Sequence, residues 1–309
     1  MAVFFLIIKN VIFPIFLLIG VGAFLHRKFS FDLNTLSKLN TYFLLPAVCF
    51  VNIYEDSISW KLITQLMFYL VSFTTLLIIV SVLIGKLFKF DTRLSASYRN
   101  SMVLINSGNF GLPISELLFY SNPIGMSIQV IISIYQNLLT FTYGLYNSVS
   151  GDSKGIKSLL EVLRIPVLYA LLLAIFFRAL QIEIPSLLWD PIESVSDAFL
   201  AVALVTLGAQ VANLKIKRLS REIVISIFGR LLLSPVLSLQ LIFLFGLDGV
   251  VAQALLIASS FPTARNSALL ALEYNNYPEY AAQVVLLTTI CSSVTVTVVV
   301  YAAKIFFPI

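Results

Sequence analysis

Charge is scarce in this chain. Only 11% of its 309 residues are Asp, Glu, Lys or Arg, against roughly 25% in ordinary soluble domains. With 59% hydrophobic residues and a mean hydropathy of +0.98, the composition excludes a water-soluble globule and points to an integral membrane protein. Histidine and cysteine are almost missing. The single histidine, His26, has no Cys, His or carboxylate cluster beside it, so neither a metal nor a cofactor is expected. Cys49 and Cys291 both fall inside apolar runs, which argues against a structural disulfide. Short segments of alternating polarity, the mark of a spanning β-barrel, are absent; continuous runs such as "LVSFTTLLIIVSVLI" stand instead. A small-residue cleavage site after the first apolar segment is lacking as well, so that segment reads as a retained span.

What is present is a series of apolar stretches, each of about the 20 residues a helix needs to cross hydrocarbon. Ten spans are predicted, at 4–25, 36–54, 62–87, 98–120, 124–148, 160–180, 191–212, 222–246, 250–273 and 279–306. Connections 1-2, 3-4, 5-6 and 7-8 carry fourteen Lys and Arg residues, whereas the opposite side carries only Lys9, Lys61, Arg178 and Lys304. Positive charge accumulates on the cytoplasmic side, so both termini are expected outside the cytoplasm. The net charge of +5 then follows from topology, with membrane lipids as the partner and no nucleic acid.

The polar connection "NSVSGDSKGIKS" leaves five spans on each side, dividing the chain into halves at 1–150 and 151–309. An odd number of spans per half inverts the second half relative to the first, an arrangement common among secondary transporters. Span 4 carries "NSGNFGLPI" and span 9, its counterpart, carries "SSFPTARNSA". Both should break a helix. Pro113 and Pro262 read as the first turns of new half-helices at mid-membrane, with Gly108 and Gly111 supplying backbone freedom for the unwound stretch. Asn106, Ser107, Asn109, Thr263 and Asn266 can satisfy the freed backbone groups. Broken backbone at this depth is tolerated only where it is buried in protein or lines a wet cavity, and a half-helix start presents N–H groups suited to an anion. One such kink would be packing; two in matching positions point to a binding site.

Arg265 lies three residues past Pro262, at a depth where a guanidinium costs roughly 2.5–3.5 kcal/mol. Three readings stay open: a contact to an anionic substrate, an ion pair, most plausibly with Glu116 or another carboxylate, or snorkelling toward the cytoplasmic interface. Arg230, inside span 8, reads as structural. In span 5, Gln136 and Asn137 either turn inward to the site or hydrogen-bond between helices.

The chain resembles the auxin efflux carrier family, which includes plant PIN-FORMED exporters and bacterial organic-acid carriers. The likeness rests on "FLLPAVCF", "NSGNFGLPI", "SDAFLAVALVTLGA" and "SSFPTARNSALLALEYNNYPE" and covers essentially the whole chain. It implies an all-α integral membrane fold of ten transmembrane helices in two inverted five-helix repeats, with broken crossover helices 4 and 9. It also implies a scaffold part from spans 1, 2, 6 and 7, a moving transport part from spans 3–5 and 8–10, and a homodimer. Carried over by position, substrate contacts fall on Asn106, Gln136 and Cys49. The long central hydrophilic loop of the plant proteins is missing, which places the chain with the bacterial carriers, in an inner membrane. Arg265 and Asn266 replace apolar residues of the plant pattern, so a dicarboxylate such as malate or malonate suits the site better than auxin. A carrier for a small organic anion is therefore expected. An intramembrane enzyme on a lipid-linked substrate would need an acid–base or metal cluster, and a passive anion channel a ring of charge or a filter sequence; neither is visible.

Overall fold

The computed structural model describes Lys9 and residues 13–55, 59–149, 166–212 and 219–309. The start of the first span, the junction of the two halves at 150/151, the start of span 6 and the basic residues Lys154, Lys157, Arg164, Lys215, Lys217 and Arg218 lie outside them. The described residues form twelve helices: α1 (Phe13–Phe29), α2 (Leu33–Glu55), α3 (Trp60–Leu87), α4 (Thr92–Val103), α5 (Leu112–Leu118), α6 (Pro123–Ser148), α7 (Pro166–Ala179), α8 (Ser186–Ala212), α9 (Arg221–Leu244), α10 (Gly249–Ser259), α11 (Arg265–Glu273) and α12 (Pro278–Phe306). Six of them, α2, α3, α6, α8, α9 and α12, are long and apolar enough to cross a membrane. Cys49 and Cys291 are both free thiols.

Proline is handled in a recurrent way. Interior proline lacks an N–H and its ring collides with the carbonyl four residues back. At Pro46, Pro113 and Pro235 that carbonyl belongs to Tyr42, Asn109 and Leu231, and each lies in a single π-helical turn, Asn40–Leu44, Ser107–Gly111 or Gly229–Leu233. The wider turn moves the carbonyl out of the ring's way, so the helix bends without stopping.

Helix α1 runs along α8, and α2 packs between α7 and α8. Two glycines set the α1–α8 approach. A Cβ on Gly22 would stand 2.1 Å from the Val205 carbonyl oxygen, and one on Gly208 would stand 1.9 Å from that of Ile19. Among the remaining helices α10 is the most enclosed, its residues from Ala252 to Ser259 all buried. It packs on α6, α9 and α12. Three helix starts are capped by aspartate, Asp32 at α2, Asp91 at α4 and Asp248 at α10. Asp91 Oδ1 accepts the Leu94 N–H at the start of α4 (2.9 Å), and its Oδ2 accepts the Tyr277 hydroxyl (2.7 Å). These donors hold the Asp91 carboxyl below the usual carboxylate range.

Replacing Gly208 with alanine should force α1 and α8 apart and destabilise the protein by about 1–3 kcal/mol, read as a lower thermal midpoint in detergent. Gly20→Ala is the control, because a Cβ there meets nothing within 4 Å. It should leave the midpoint unchanged or raise it slightly.

Candidate functional site

Two helices of the sequence reading are broken where the two motifs lie. Helix α4 ends at Val103, Leu104 turns extended (φ −88°, ψ 113°), and helical geometry resumes only with the π turn at Ser107. Helix α10 ends at Ser259, and α11 begins at Arg265. The two extended links lie antiparallel, bridged at Ile105 and Thr263. Asn106 N–H donates to the Pro262 carbonyl (2.9 Å), and Ala264 N–H donates to that of Leu104 (2.8 Å). Phe110 and Phe261 meet edge to face beside the bridge, their centroids 5.8 Å apart.

The prolines and glycines do different work from that expected. Pro113 does lie in the first turn of α5, but the break is not there. The chain regains helical geometry six residues earlier, at Ser107, and Pro113 is absorbed by the π turn. Pro262 lies in the extended link itself, where its carbonyl is used by Asn106. Neither Gly108 nor Gly111 has a positive φ; those occur at Gly246 and Gly249. Gly111 is required for close packing, since a Cβ there would come within 2.6 Å of the Phe261 ring and 2.7 Å of Gln129 Nε2. Gly108 faces open space.

Backbone groups freed by the breaks find specific partners, as burial requires. Ile105 N–H donates to Gln136 Oε1 (3.3 Å), and Thr263 N–H donates to Thr288 Oγ1 (3.2 Å). Ser107 C=O accepts from Gln129 Nε2 and from the Ser133 hydroxyl, both at 3.0 Å. Thr263 Oγ1 donates to the Ser101 carbonyl (2.9 Å). Gln136 therefore ties α6 to the bridge, and Tyr135 next to it turns away to Thr74 and Leu70 on α3.

Beside the bridge opens a cavity of about 220 Å³. Asn106, Asn109, Gln136, Asn137, Arg265 and Asn266 all line it, together with Gly108. Among its described lining residues Arg265 is the only charged side chain, and none is a carboxylate. Cys49 is not there. It is fully buried under α7, its thiol directed at the Val167 carbonyl 3.8 Å away, so the position carried over from the resemblance does not reach the cavity. Arg265 Nη1 donates to Ser37 Oγ (2.6 Å) rather than to Glu116. Ser37 also accepts from Gln210 Nε2 on α8 (3.2 Å) and donates to the Leu33 carbonyl (2.6 Å), so one hydroxyl on α2 is fully occupied in holding the guanidinium. A second cavity, of about 440 Å³, shares Asn106 and Arg265 with the first and is otherwise lined mainly by α8, α11 and the start of α12. Arg265 thus lines both cavities.

Sequence reasoning missed Ser37, Thr41 and Thr140, which also line the smaller cavity. Isolated hydroxyls in an apolar helix carry no pattern of their own. Only the fold brings them opposite Arg265.

The profile of the family described as Membrane transport protein matches residues 7–300. The chain belongs to that family. This agrees with the resemblance to the auxin efflux carriers. A relative that spans nearly the same length is a proposed malonate transporter of Rhizobium meliloti (strain 1021), 25% identical over 310 residues and covering 96% of each chain. The protein is accordingly an integral membrane transport protein, and its broken helices lie inside the region the family profile covers.

Gly111→Ala should drive a methyl group into Phe261 and Gln129 and lower the thermal midpoint of the transporter by the equivalent of about 1–3 kcal/mol. Gly108→Ala, with open space before it, should unfold like the parent. Equal midpoints for both variants would show that the close approach at Gly111 is not needed.

Proposed function

We propose that the protein is a secondary carrier for small organic dianions of the malonate class, with the cavity beside the Ile105–Thr263 bridge as its substrate site. The observation that carries this reading is the cavity's charge: Arg265, four asparagines and Gln136 among its lining, and no carboxylate among the described residues there. Such a lining attracts an anion and can hydrogen-bond its oxygens. The positive end of α11, which begins at Arg265 itself, adds to the attraction. A cavity of about 220 Å³ suits a short diacid better than a drug-sized ligand, whose pockets are typically 300–1,000 Å³. The relative's name agrees with this substrate class. An enzyme on a lipid-linked substrate would need a general base in the same place, and the described lining offers neither His nor Asp nor Glu.

In this reading α4 with α5, and α10 with α11, are the crossover helices of two inverted five-helix repeats, and they meet at mid-membrane. Helices α1, α2, α7 and α8 form the scaffold, and the others carry the substrate past it in an elevator movement. The contact of Arg265 with Ser37 and, through it, Gln210 would be remade in each cycle, because those two residues belong to the scaffold. The carrier works as a homodimer in a bacterial inner membrane, with both termini outside the cytoplasm.

The deciding test is a thermal-shift titration of the purified carrier with malonate and with a monocarboxylate of similar length, since a ligand selective for the folded state raises its stability. Arg265→Gln keeps size and hydrogen-bonding groups while losing the charge. It should weaken malonate by roughly tenfold to a hundredfold, and the monocarboxylate less. Equal, small losses for both acids would remove Arg265 from substrate selection. No shift with any mono- or dicarboxylate would overturn the anion site.

Orientation is tested separately. A cysteine at Ser186, an exposed position at the start of α8, should react with an impermeant thiol reagent from outside intact cells, whereas one at the exposed Arg93 should not. The opposite labelling would invert the topology.

A further inference from the structure

Arg230 is the largest fully buried side chain among the described residues, at 0% exposure, and the proposed substrate site does not use it. It sits in the π turn of α9. Its Nη1 donates to the Met102 carbonyl (2.6 Å), and its Nη2 donates to Ser234 Oγ (2.6 Å) and to the Ser259 carbonyl. Ser234 Oγ in turn donates to the Ser259 carbonyl (2.9 Å).

Both carbonyls are among those that the breaks orphan. In an unbroken helix Met102 C=O would accept from the amide of residue 106, and Ser259 C=O from that of residue 263. Here Asn106 N–H is taken by the Pro262 carbonyl and Thr263 N–H by Thr288 Oγ1. Each diversion strips one carbonyl of its partner, and Arg230 replaces both partners with one group. Gly229 lets this turn of α9 approach α4; a Cβ there would stand 2.5 Å from Met102 Sδ. Met102 and Ser259 are also at the C-terminal ends of α4 and α10, where each helix carries roughly half a negative charge. Two such ends sum to about one unit, the charge of one guanidinium. In transporters with broken helices, convergent C-terminal ends and unwound carbonyls commonly bind a coupling cation.

We propose that Arg230 is a built-in counter-cation of this carrier: it occupies, as a fixed guanidinium, the cation place between the two helix ends, and so positions the bridge that carries Asn106 and Arg265. Substrate then binds without a metal cation at this place. Arg230 is a positioning residue; it touches the bridge's supporting carbonyls, not the cavity.

Chemical rescue tests this. Arg230→Ala opens a void lined by two carbonyls and the Ser234 hydroxyl. Its thermal midpoint should fall well below the parent's, and millimolar guanidinium, far under denaturing concentrations, should raise it again. Urea, planar and of similar size but neutral, should not, and the parent should respond to neither. Arg230→Met fills the space without charge or donors, so it should be destabilised and show no rescue. Arg230→Lys keeps the charge but cannot span both carbonyls, and should fall between Met and the parent. If Arg230→Ala cannot be purified alone, guanidinium supplied from membrane extraction onward should restore a folded peak in size-exclusion chromatography. Absence of rescue in either format, rescue by urea as well as by guanidinium, or Arg230→Met equal to the parent in stability would overturn the proposal. These arms need no substrate, so they stand apart from the malonate reading. Where malonate does bind the parent, its affinity should fall roughly tenfold in Arg230→Ala and return with guanidinium.

Discussion

The structure depends on one short piece of backbone pairing, the antiparallel bridge between Ile105 and Thr263. Hydrocarbon offers no hydrogen bonds, so a helix can be opened inside a membrane only if something else takes up each exposed N–H and C=O. Here the two openings serve one another. Asn106 and Ala264 donate across to Pro262 and Leu104, and what remains is taken up by Gln136, Thr288, Gln129, Ser133 and Arg230. The polar residues of this apolar chain are therefore concentrated where helical hydrogen bonding has been given up. That concentration leaves a polar-lined cavity of about 220 Å³ in a protein otherwise suited to lipid.

Much of this was legible because it follows from composition and from residues whose chemistry is unusual in a membrane. Apolar runs gave the helices, and paired Asn, Gly and Pro motifs gave the two interruptions. Five of the polar residues expected at the site, Asn106, Asn109, Asn137, Arg265 and Asn266, line the cavity, and Gln136 joins them while also bonding the bridge. The illegible part was the local geometry of breaking. Proline was read as a helix starter, by its preference for first turns, yet at Pro113 a π turn resolves the same steric conflict without any restart. Glycine was read for its φ freedom, yet Gly111 matters for the side chain it lacks. Both residues have more than one physical use, and only the neighbours decide which applies. Cys49 shows a different limit: a position inherited from a resemblance can keep its place along the chain while α7 covers its side chain.

The hydroxyl of Ser37 was invisible in sequence for a third reason. It gains its role from residues 173 and 228 positions away, Gln210 and Arg265. A hydroxyl that accepts two bonds and donates one has no capacity left. It fixes the guanidinium at one of its two terminal nitrogens, where Arg265 lines both cavities, and it does so from α2, which packs with α7 and α8 rather than with the bridge helices. The contact between the two groups of helices thus runs through the same side chain that gives the cavity its charge.

Two arginines buried in one apolar protein ought to be a severe burden, and the way each is satisfied separates their uses. Arg230 is enclosed on all sides and spends its terminal donors on two carbonyls and a hydroxyl, with its charge set against the negative ends of α4 and α10. Little of its field is left for anything else. Arg265 is only partly buried and gives one bond, to Ser37, while the positive end of its own helix α11 reinforces rather than cancels it. A cation so placed is under-satisfied as it stands, and an anion is the natural remedy. The two residues are chemically identical, and the direction of the nearest helix dipole makes one a strut and leaves the other facing the cavity.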